Sequence, residues 1–520
     1  MNNNTPILLR TLIIYAICVP LAIIVGYTLS SPLDRSSLGF IGIFGFVLTL
    51  PIFMRWHYPL LVFLWLSAIT LNFVPGSPTA WLYMVVLSLG LSVLERILSR
   101  RMHFIKVPQI TWPLIFMFAV VMMTAEMTGG IGLRAMGSAT YGGKKYVYLL
   151  ISIFSYFALT SRRIPQEKAG LFVGLFFLGK LTMAIGDTYP IAPSFLHFLY
   201  FIFPPASSYL GTDPLDVGNT RLGGVAGAAM GGYFWLMARY GIRGIFLSGK
   251  PWRPCLFVLF FVLIFLGGFR SSLAMFLVSF VIMFFLEGLY RTPLLVAFGL
   301  AGILGCVAIV PLASHLPFTF QRTLAFLPLN LSPDAVRSAQ DSSEWRFKMW
   351  EALLPQIPPH LLLGKGFAIS QEDFNELIAG GNQSKAAANF DAANTALAVS
   401  SDYHNGMLSV ILPFGIWGVL VTLWFLWAGV KVMYRNMKYG NPALHTANQF
   451  LFVLFFIEAA QFASCVSGLS LASELQSFVG YLGLSIALNN GVCAPVAQPV
   501  KQVERASKIF PHLRPAPFPR

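Results

Sequence analysis

Long apolar runs separated by short polar ones fill most of the chain. The first run, TLIIYAICVPLAIIVGYTL, follows Arg10, and similar runs recur to residue 489. A membrane-crossing helix needs about 20 mostly apolar residues. On that criterion the pattern predicts about fourteen spans. They fall near 9–30, 38–54, 58–74, 80–95, 111–127, 145–160, 170–186, 222–240, 253–269, 271–290, 293–313, 405–430, 445–466 and 469–489. The first run resembles a signal peptide. It is long and many others follow it, so it reads as a retained first span. The predicted fold class is all-α, a polytopic membrane bundle of about 12–14 transmembrane helices.

One interruption differs in kind. The polar stretch 314–403 is far longer than the others, and a loop of that length without structure of its own is unusual. Asp341 and Glu344 have capping-box spacing ahead of EWRFKMWEALLPQI, with Asp in place of Ser or Thr. Trp345, Met349, Leu353 and Ile357 then recur every four residues. They make one apolar helical face, suited to lying on a membrane interface. Residues 385–399, KAAANFDAANTALAV, predict a second helix. The chain therefore divides into an N-terminal bundle (1–313), a large extracytoplasmic loop (314–403), C-terminal helices (404–490) and a cytoplasmic tail (491–520). The tail's Pro-rich end, PHLRPAPFPR, predicts disorder.

Composition agrees with a membrane protein: 56% of residues are hydrophobic and 11% charged, against about 25% charged in soluble domains. Mean hydropathy is +0.71. The net charge of +15 fixes orientation better than it suggests a partner. With the N-terminus inside, the basic residues concentrate in the short inner segments, for example Arg96, Arg100, Arg101, Arg162, Arg163 and Arg243. That asymmetry places both termini in the cytoplasm and the 314–403 loop outside. No basic stripe interleaves with exposed aromatics, so no nucleic-acid partner is expected. Four of the five cysteines (Cys18, Cys255, Cys306 and Cys465) lie in or beside apolar runs and Cys493 lies in the tail. None lies in the polar loop, so no disulfide framework or metal-ligand pair is implied.

Candidate chemistry gathers on the outer side. His404 ends the large loop and opens a span, in SSDYHNGMLSVILPFGIWGVL. A His or Asn there is an ordinary helix cap, but an imidazole facing outward beside the bilayer can also serve as a general base. Arg270, in FLGGFRSSL, sits between two apolar runs. A charge at that depth is costly and calls for a partner or an anionic ligand, unless it snorkels from a tight helical hairpin. Arg221, in GNTRLGGVAGAAMGG, opens another span and precedes small residues that permit close helix packing. That run is not a phosphate loop, because it lacks the GK[ST] ending. Guanidinium groups grip phosphate oxygens. Two outer arginines and a histidine therefore suit attack by a hydroxyl on a diphosphate-activated substrate delivered in the membrane. Arg322, Arg337, Lys348 and Lys365 in the loop could bind phosphates of the acceptor, but solvated surface is the first reading.

These residues resemble the O-antigen ligase and polymerase family. HNGMLSVILPFGIWG fits its pattern of His, small polar residue, nine residues, Gly, two residues, Gly, at His404, Asn405, Gly415 and Gly418. RFKMWEALLPQIPPHLLLGKGF looks like the family's loop segment, with Arg346 and Trp350 ahead of Gly364 and Gly366. GGFRSSL and NTRLGG resemble its arginine elements. The resemblance covers roughly residues 219–420. It implies a C-type, mostly helical glycosyltransferase of the bacterial cytoplasmic membrane with its site facing the periplasm. The donor would be a glycan on a polyprenyl diphosphate. The acceptor would be lipid A–core for a ligase, or another carrier-linked glycan for a polymerase. No metal, nucleotide sugar or other cofactor is implied. His404 would be the base, Arg270 and Arg221 would hold the diphosphate, and Asn405 and Arg346 would contact substrate. Two features depart from the family. About fourteen spans exceed its usual dozen or so, and the segment after Arg221 lacks the family's Pro-Asn, which bears on Arg221 more than on Arg270.

Two other readings compete. A lipid-linked oligosaccharide flippase can also have about fourteen spans, with Lys180, Glu126, Glu458 and Glu474 as its candidate polar path. It gives no reason for a long outer loop ending in His404. An inactive structural subunit of a polysaccharide assembly is the other.

Overall fold

The structure, a computed structural model, describes residues 35–72, 77–98, 103–129, 143–205, 221–368, 403–465 and 470–495, with isolated positions between 15 and 26. The predicted span 9–30, the predicted helix 385–399 and the Pro-rich tail end lie outside these residues. The chain forms two compact units, Met1–Tyr58 and Pro59–Arg520. All five candidate site residues belong to the second.

Among the described residues there is no strand, only an isolated bridge between Thr70 and Thr79. The helices are α1 (Arg35–Leu64), α2 (Ala80–Leu98), α3 (Pro108–Thr128), α4 (Gly143–Leu159), α5 (Ala169–Leu178), α6 (Met183–Asp187), α7 (Gly223–Phe246) and α8 (Trp252–Phe265). They continue with α9 (Arg270–Leu286), α10 (Leu294–Leu312), α11 (Phe318–Leu324), α12 (Pro333–Leu353), α13 (Ile357–His360), α14 (Leu408–Tyr439), α15 (His445–Ala463) and α16 (Leu471–Asn489). By length and composition, seven helical stretches among the described residues can cross a membrane. The solvent for this fold is visible at α10, where Val296, Leu300, Ile303, Leu304, Val307 and Val310 are all exposed. A helix this apolar and this exposed, touching the rest of the protein only at places such as Phe298 and Ile309, needs hydrocarbon around it.

Two predicted elements are corrected and a third is found with an interruption. The spans expected at 38–54 and 58–74 are one continuous helix, α1, that ends at Leu64. The span expected at 170–186 lies within the apolar stretch Gln166–Asp187, but inside it α5 gives way to a 3₁₀ turn at Gly179–Thr182 and then to α6. The reason is a stripe of small residues on α7. A Cβ at Gly231 would meet Lys180 Cβ at 2.7 Å and Phe177 O at 2.8 Å, and one at Gly227 would meet Met183 Sδ at 2.8 Å. The broken segment lies directly on the glycines, as small-residue packing permits. The helix expected to begin at Asp341 begins instead at Pro333. Ser332 caps it by accepting the Ala335 N–H, with Pro at the first helical position. Ser followed by Pro is the stronger start signal, and it outcompetes the Asp341 spacing.

The most consequential irregularity is in α14. Pro413 lies inside it and Gly415 leaves helical geometry, with φ 63°. Residues 361–366 enter the gap: Lys365 N–H donates to Leu412 O (2.8 Å), Gly366 N–H to Pro413 O (3.0 Å), and Ile416 N–H to Leu361 O (2.7 Å). Irregular backbone at such a position persists only when its polar groups are satisfied within the protein. Gly364 and Gly366 both have positive φ. A Cβ at Gly364 would collide with Pro413 O and one at Gly366 with Thr128 Oγ1. The glycines that carry the family pattern are thus those the broken helix requires.

Gly415→Ala, whose Cβ would meet Leu361 O at 2.7 Å, should therefore cost about 1–3 kcal/mol and lower the thermal unfolding midpoint in detergent. Gly299→Ala on α10, where a Cβ meets nothing within 4 Å, is the control and should leave the midpoint unchanged or raise it. Equal midpoints for the two variants would refute this account of the break.

Candidate functional site

The site is assembled from four segments: the residues leading into α7, the α8–α9 turn, α11 with α12, and the residues leading into α14. Arg221 is anchored first. Leu222 N–H donates to Leu266 O (3.0 Å), Asp187 Oδ2 accepts the Val225 N–H (2.8 Å), and Arg221 Nε donates to Gly267 O (3.0 Å). Its guanidinium lies over the Phe269 ring, 4.0 Å from the centroid. Arg270 opens α9, as the sequence led one to expect of a tight helical hairpin. It does not snorkel outward. Its Nη2 donates to Ala339 O and to Ser343 Oγ, both at 2.9 Å, tying α9 to α12.

A further arginine stands among these. Arg322 was read as solvated surface, but it is buried. It donates from Nη1 to Gly268 O (2.7 Å) and from Nε to Ser338 Oγ (3.0 Å). A Cβ on Gly268 would lie 3.5 Å from Arg221 Nε and 3.7 Å from Arg322 Nη1, so both side chains converge on that turn. The only sequence signal was local: FTFQRTL puts Arg322 among apolar residues on a short helix.

Arg346, on α12, completes the group. Its Nε is buried and makes no hydrogen bond. Burial, then the charge of Arg270, lowers the Arg346 pKa. Burial, then Arg270 and Arg346, lowers that of Arg322. Burial, then Arg322, pushes Arg221 down to about 10, so it still carries its charge at neutral pH. Lost hydration and like-charge neighbours both disfavour the charged form. Among the described residues, none of these four arginines has a carboxylate ion-pair partner. The N-terminus of α9 adds its own positive potential. The arrangement favours an anion with several oxygens.

His404 reaches this group through Trp345. The imidazole meets the Trp345 ring edge-on, with centroids 5.2 Å apart, and the Arg346 guanidinium lies 5.8 Å from the same ring. His404 has φ 49°, a left-handed conformation that an L residue holds only where its surroundings enforce it. They do so here. Tyr403 is fully buried in a cluster with Met349, Leu353, Leu408 and Leu412, and its carbonyl accepts the Trp350 indole N–H at 2.7 Å. The apolar face of α12 therefore packs on the start of α14, with Trp345 and Ile357 partly buried against the same cluster; the expectation that this face lies on the membrane interface is corrected. Asn405 is buried and its Oδ1 accepts the Leu408 N–H at 3.1 Å. Its side-chain oxygen caps α14, which makes it a residue that positions His404.

Of the groups considered for a transport path, Lys180, Glu458 and Glu474 lie near one another, and Glu126 stands apart from them. Glu458 accepts from Tyr481 Oη at 2.9 Å. Lys180 lies over Phe234, 5.8 Å from the ring centroid, and Glu126 is exposed.

Residues 255–423 match the family model of the O-antigen ligase. The resemblance read from the sequence is shown for this segment, about a third of the chain, which holds Arg270, Arg322, Arg346, His404 and Asn405 and leaves Arg221 outside. Together with the apolar helices, the match supports a multi-pass bacterial inner-membrane protein of the ligase or polymerase glycosyltransferase type. No curated protein matches the chain.

If the four arginines form an anion site, inorganic pyrophosphate should raise the thermal midpoint at low salt by mass action. Arg270→Gln and Arg346→Gln should each weaken its apparent affinity about tenfold, the worth of one charge-assisted hydrogen bond. An identical rise in wild type and both variants would place the anion elsewhere.

Proposed function

We propose that the protein transfers a glycan from a polyprenyl diphosphate carrier to an acceptor hydroxyl at the periplasmic face of the inner membrane, with both termini cytoplasmic. The observation that carries this reading is the Trp345 ring, which has His404 on its edge and Arg346, a member of the unpaired arginine group, near the same ring. A base and an electropositive site are thereby held side by side on one rigid support. Such pre-organisation is what transfer to a hydroxyl needs.

In this reaction the acceptor oxygen attacks the anomeric carbon of the donor sugar. His404 takes the hydroxyl proton. The bond from that carbon to the diphosphate oxygen breaks, and the electron pair leaves with polyprenyl diphosphate. Arg270, Arg221 and Arg346, joined by Arg322, bind the diphosphate and stabilise the charge that grows on it. The guanidinium groups supply the neutralisation that the leaving group needs, so the proposed chemistry runs without a metal. Asn405 acts by capping α14 and fixing where His404 stands. The acceptor is lipid A–core in the ligase reading and a second carrier-linked glycan in the polymerase reading.

Transfer by the purified protein in nanodiscs tests this. Polyprenyl-diphosphate glycan is offered with lipid A–core and, separately, with itself. His404→Ala and Arg270→Ala should each reduce product at least about a hundredfold while inserting and folding as wild type. Product on lipid A–core makes the protein a ligase, and chain growth on the carrier makes it a polymerase. Lipid-linked sugar crossing the bilayer without covalent product, unaffected by His404→Ala, would overturn the enzyme reading in favour of a flippase.

A further inference from the structure

A second cavity opens beside the start of α14. It has a volume of about 410 Å3 and is lined by residues from α2, α4, α14 and α16, together with Phe367. Three helices begin at its wall: α2 at Ala80, α4 at Gly143 and α16 at Leu471. Each brings the positive end of its dipole to that wall, although Ala80 N–H donates to Ile69 O at 2.8 Å and Ser470 caps α16. Lys144 and Lys145, in the first turn of α4, both line the cavity. Cations at a helix N-terminus oppose the dipole, so these lysines raise a potential that three helix ends already make positive. Glu474, in the first turn of α16, is the acidic residue on that element and is not part of the lining.

An independent observation points to a ligand. Ser409 is 2% exposed, and its Oγ, which lines the cavity, has no hydrogen-bond partner. A helical serine usually returns its hydroxyl to the carbonyl one turn back. Here the Ser409 backbone N–H makes the ordinary bond to Asn405 O at 2.9 Å, but the hydroxyl has no acceptor. Thr79 Oγ1, on the opposite wall, is likewise buried without a partner. An unsatisfied buried hydroxyl costs about 1–3 kcal/mol, and a ligand with hydroxyls of its own would relieve both. Around these groups, Trp81, Phe367 and Leu471 supply apolar surface, the composition expected of a small-ligand site with few but convergent polar groups.

We propose that this cavity is a saccharide subsite that binds a sugar unit carrying an anionic group, a carboxylate or a phosphate, on the glycan acceptor. The inference rests on the glycosyl-transfer reading above. Ser409 stands in the first turn of α14, four residues after Asn405 and five after His404. A sugar held there keeps its chain within reach of His404, while the arginine group takes the donor diphosphate. The subsite would make the enzyme selective for acidic acceptors, with Lys144 and Lys145 as the residues that read the charge.

Binding is measured without the transfer reaction, so its result stands apart from that of the transfer assay. The full-length protein is placed in nanodiscs of zwitterionic phospholipid and titrated with trigalacturonic acid and, as the neutral counterpart, maltotriose. The acidic trisaccharide should bind at least tenfold tighter. Lys144→Gln/Lys145→Gln should lose that preference, Ser409→Ala should weaken binding several-fold, and both variants should keep the pyrophosphate response of the arginine site. Lys144→Gln alone serves if the double variant does not fold, and it should lose part of the preference. Equal affinity for the two sugars would overturn the proposal. So would loss of the acidic sugar in Arg270→Gln but not in the lysine variant, since the ligand would then sit on the arginines. Competition by anionic phospholipid at the lysines, with no saccharide binding, would make the site a lipid headgroup site and overturn it equally.

Discussion

Four like charges have to be held together before this site can exist. Among the described residues, Arg221, Arg270, Arg322 and Arg346 receive no carboxylate, and burial, then the charges among them, lowers the pKa of Arg221, Arg322 and Arg346. What holds them is neutral. Backbone carbonyls of Gly267, Gly268 and Ala339 and the hydroxyls of Ser338 and Ser343 accept from three of the guanidiniums. A carboxylate would be a stronger partner for each arginine alone, but it would also cancel the potential that an anionic substrate needs. Neutral acceptors fix the geometry and leave the charge intact.

That choice constrains the rest of the fold. The Gly267 and Gly268 carbonyls are open because α8 has stopped, so Arg221 and Arg322 gather at the α8–α9 turn, while Arg270 reaches Ala339 O inside α12. The docking helix, α12, is tied at both ends of its function. Its N-terminal half meets the arginines through Ala339 and Ser343, and its C-terminal half packs Met349 and Leu353 on Tyr403 and Leu408. Trp345 lies between. The same helix therefore sets the distance between anion site and imidazole, and a shift of α12 would move both together.

The break in α14 serves the same end. A straight helix through Pro413 and Gly415 would leave residues 361–366 no backbone to bond to. The break exposes Leu412 O and Pro413 O, and the Lys365 and Gly366 amides take them. The segment that follows α12 and α13 is thereby pinned to the element that carries His404. The strained backbone at His404 is tolerable because Tyr403 on one side and the Asn405 cap on the other are both fixed.

By itself the sequence determined the all-helical membrane class and most of the apolar helices, and it named the five candidate site residues. Hydrophobicity over about 20 residues is a local property, and a glycine that needs positive φ or a histidine at a span boundary stands where it stands in any fold of that pattern. Only the tertiary structure decided the rest. Arg322 has the look of a loop cation, and nothing nearby in sequence says that Gly268 and Ser338 will close over it. The apolar face of α12 could equally have met lipid, because its period shows that a face is buried but not against what. Asp341 and Ser332 both offered helix starts, and the choice fell to the one with Pro behind it. The break in the span near residue 180 comes from glycines about fifty positions away on α7. In each case the deciding contact joins residues remote in sequence, and a pattern read along the chain carries no information about which remote surface will arrive.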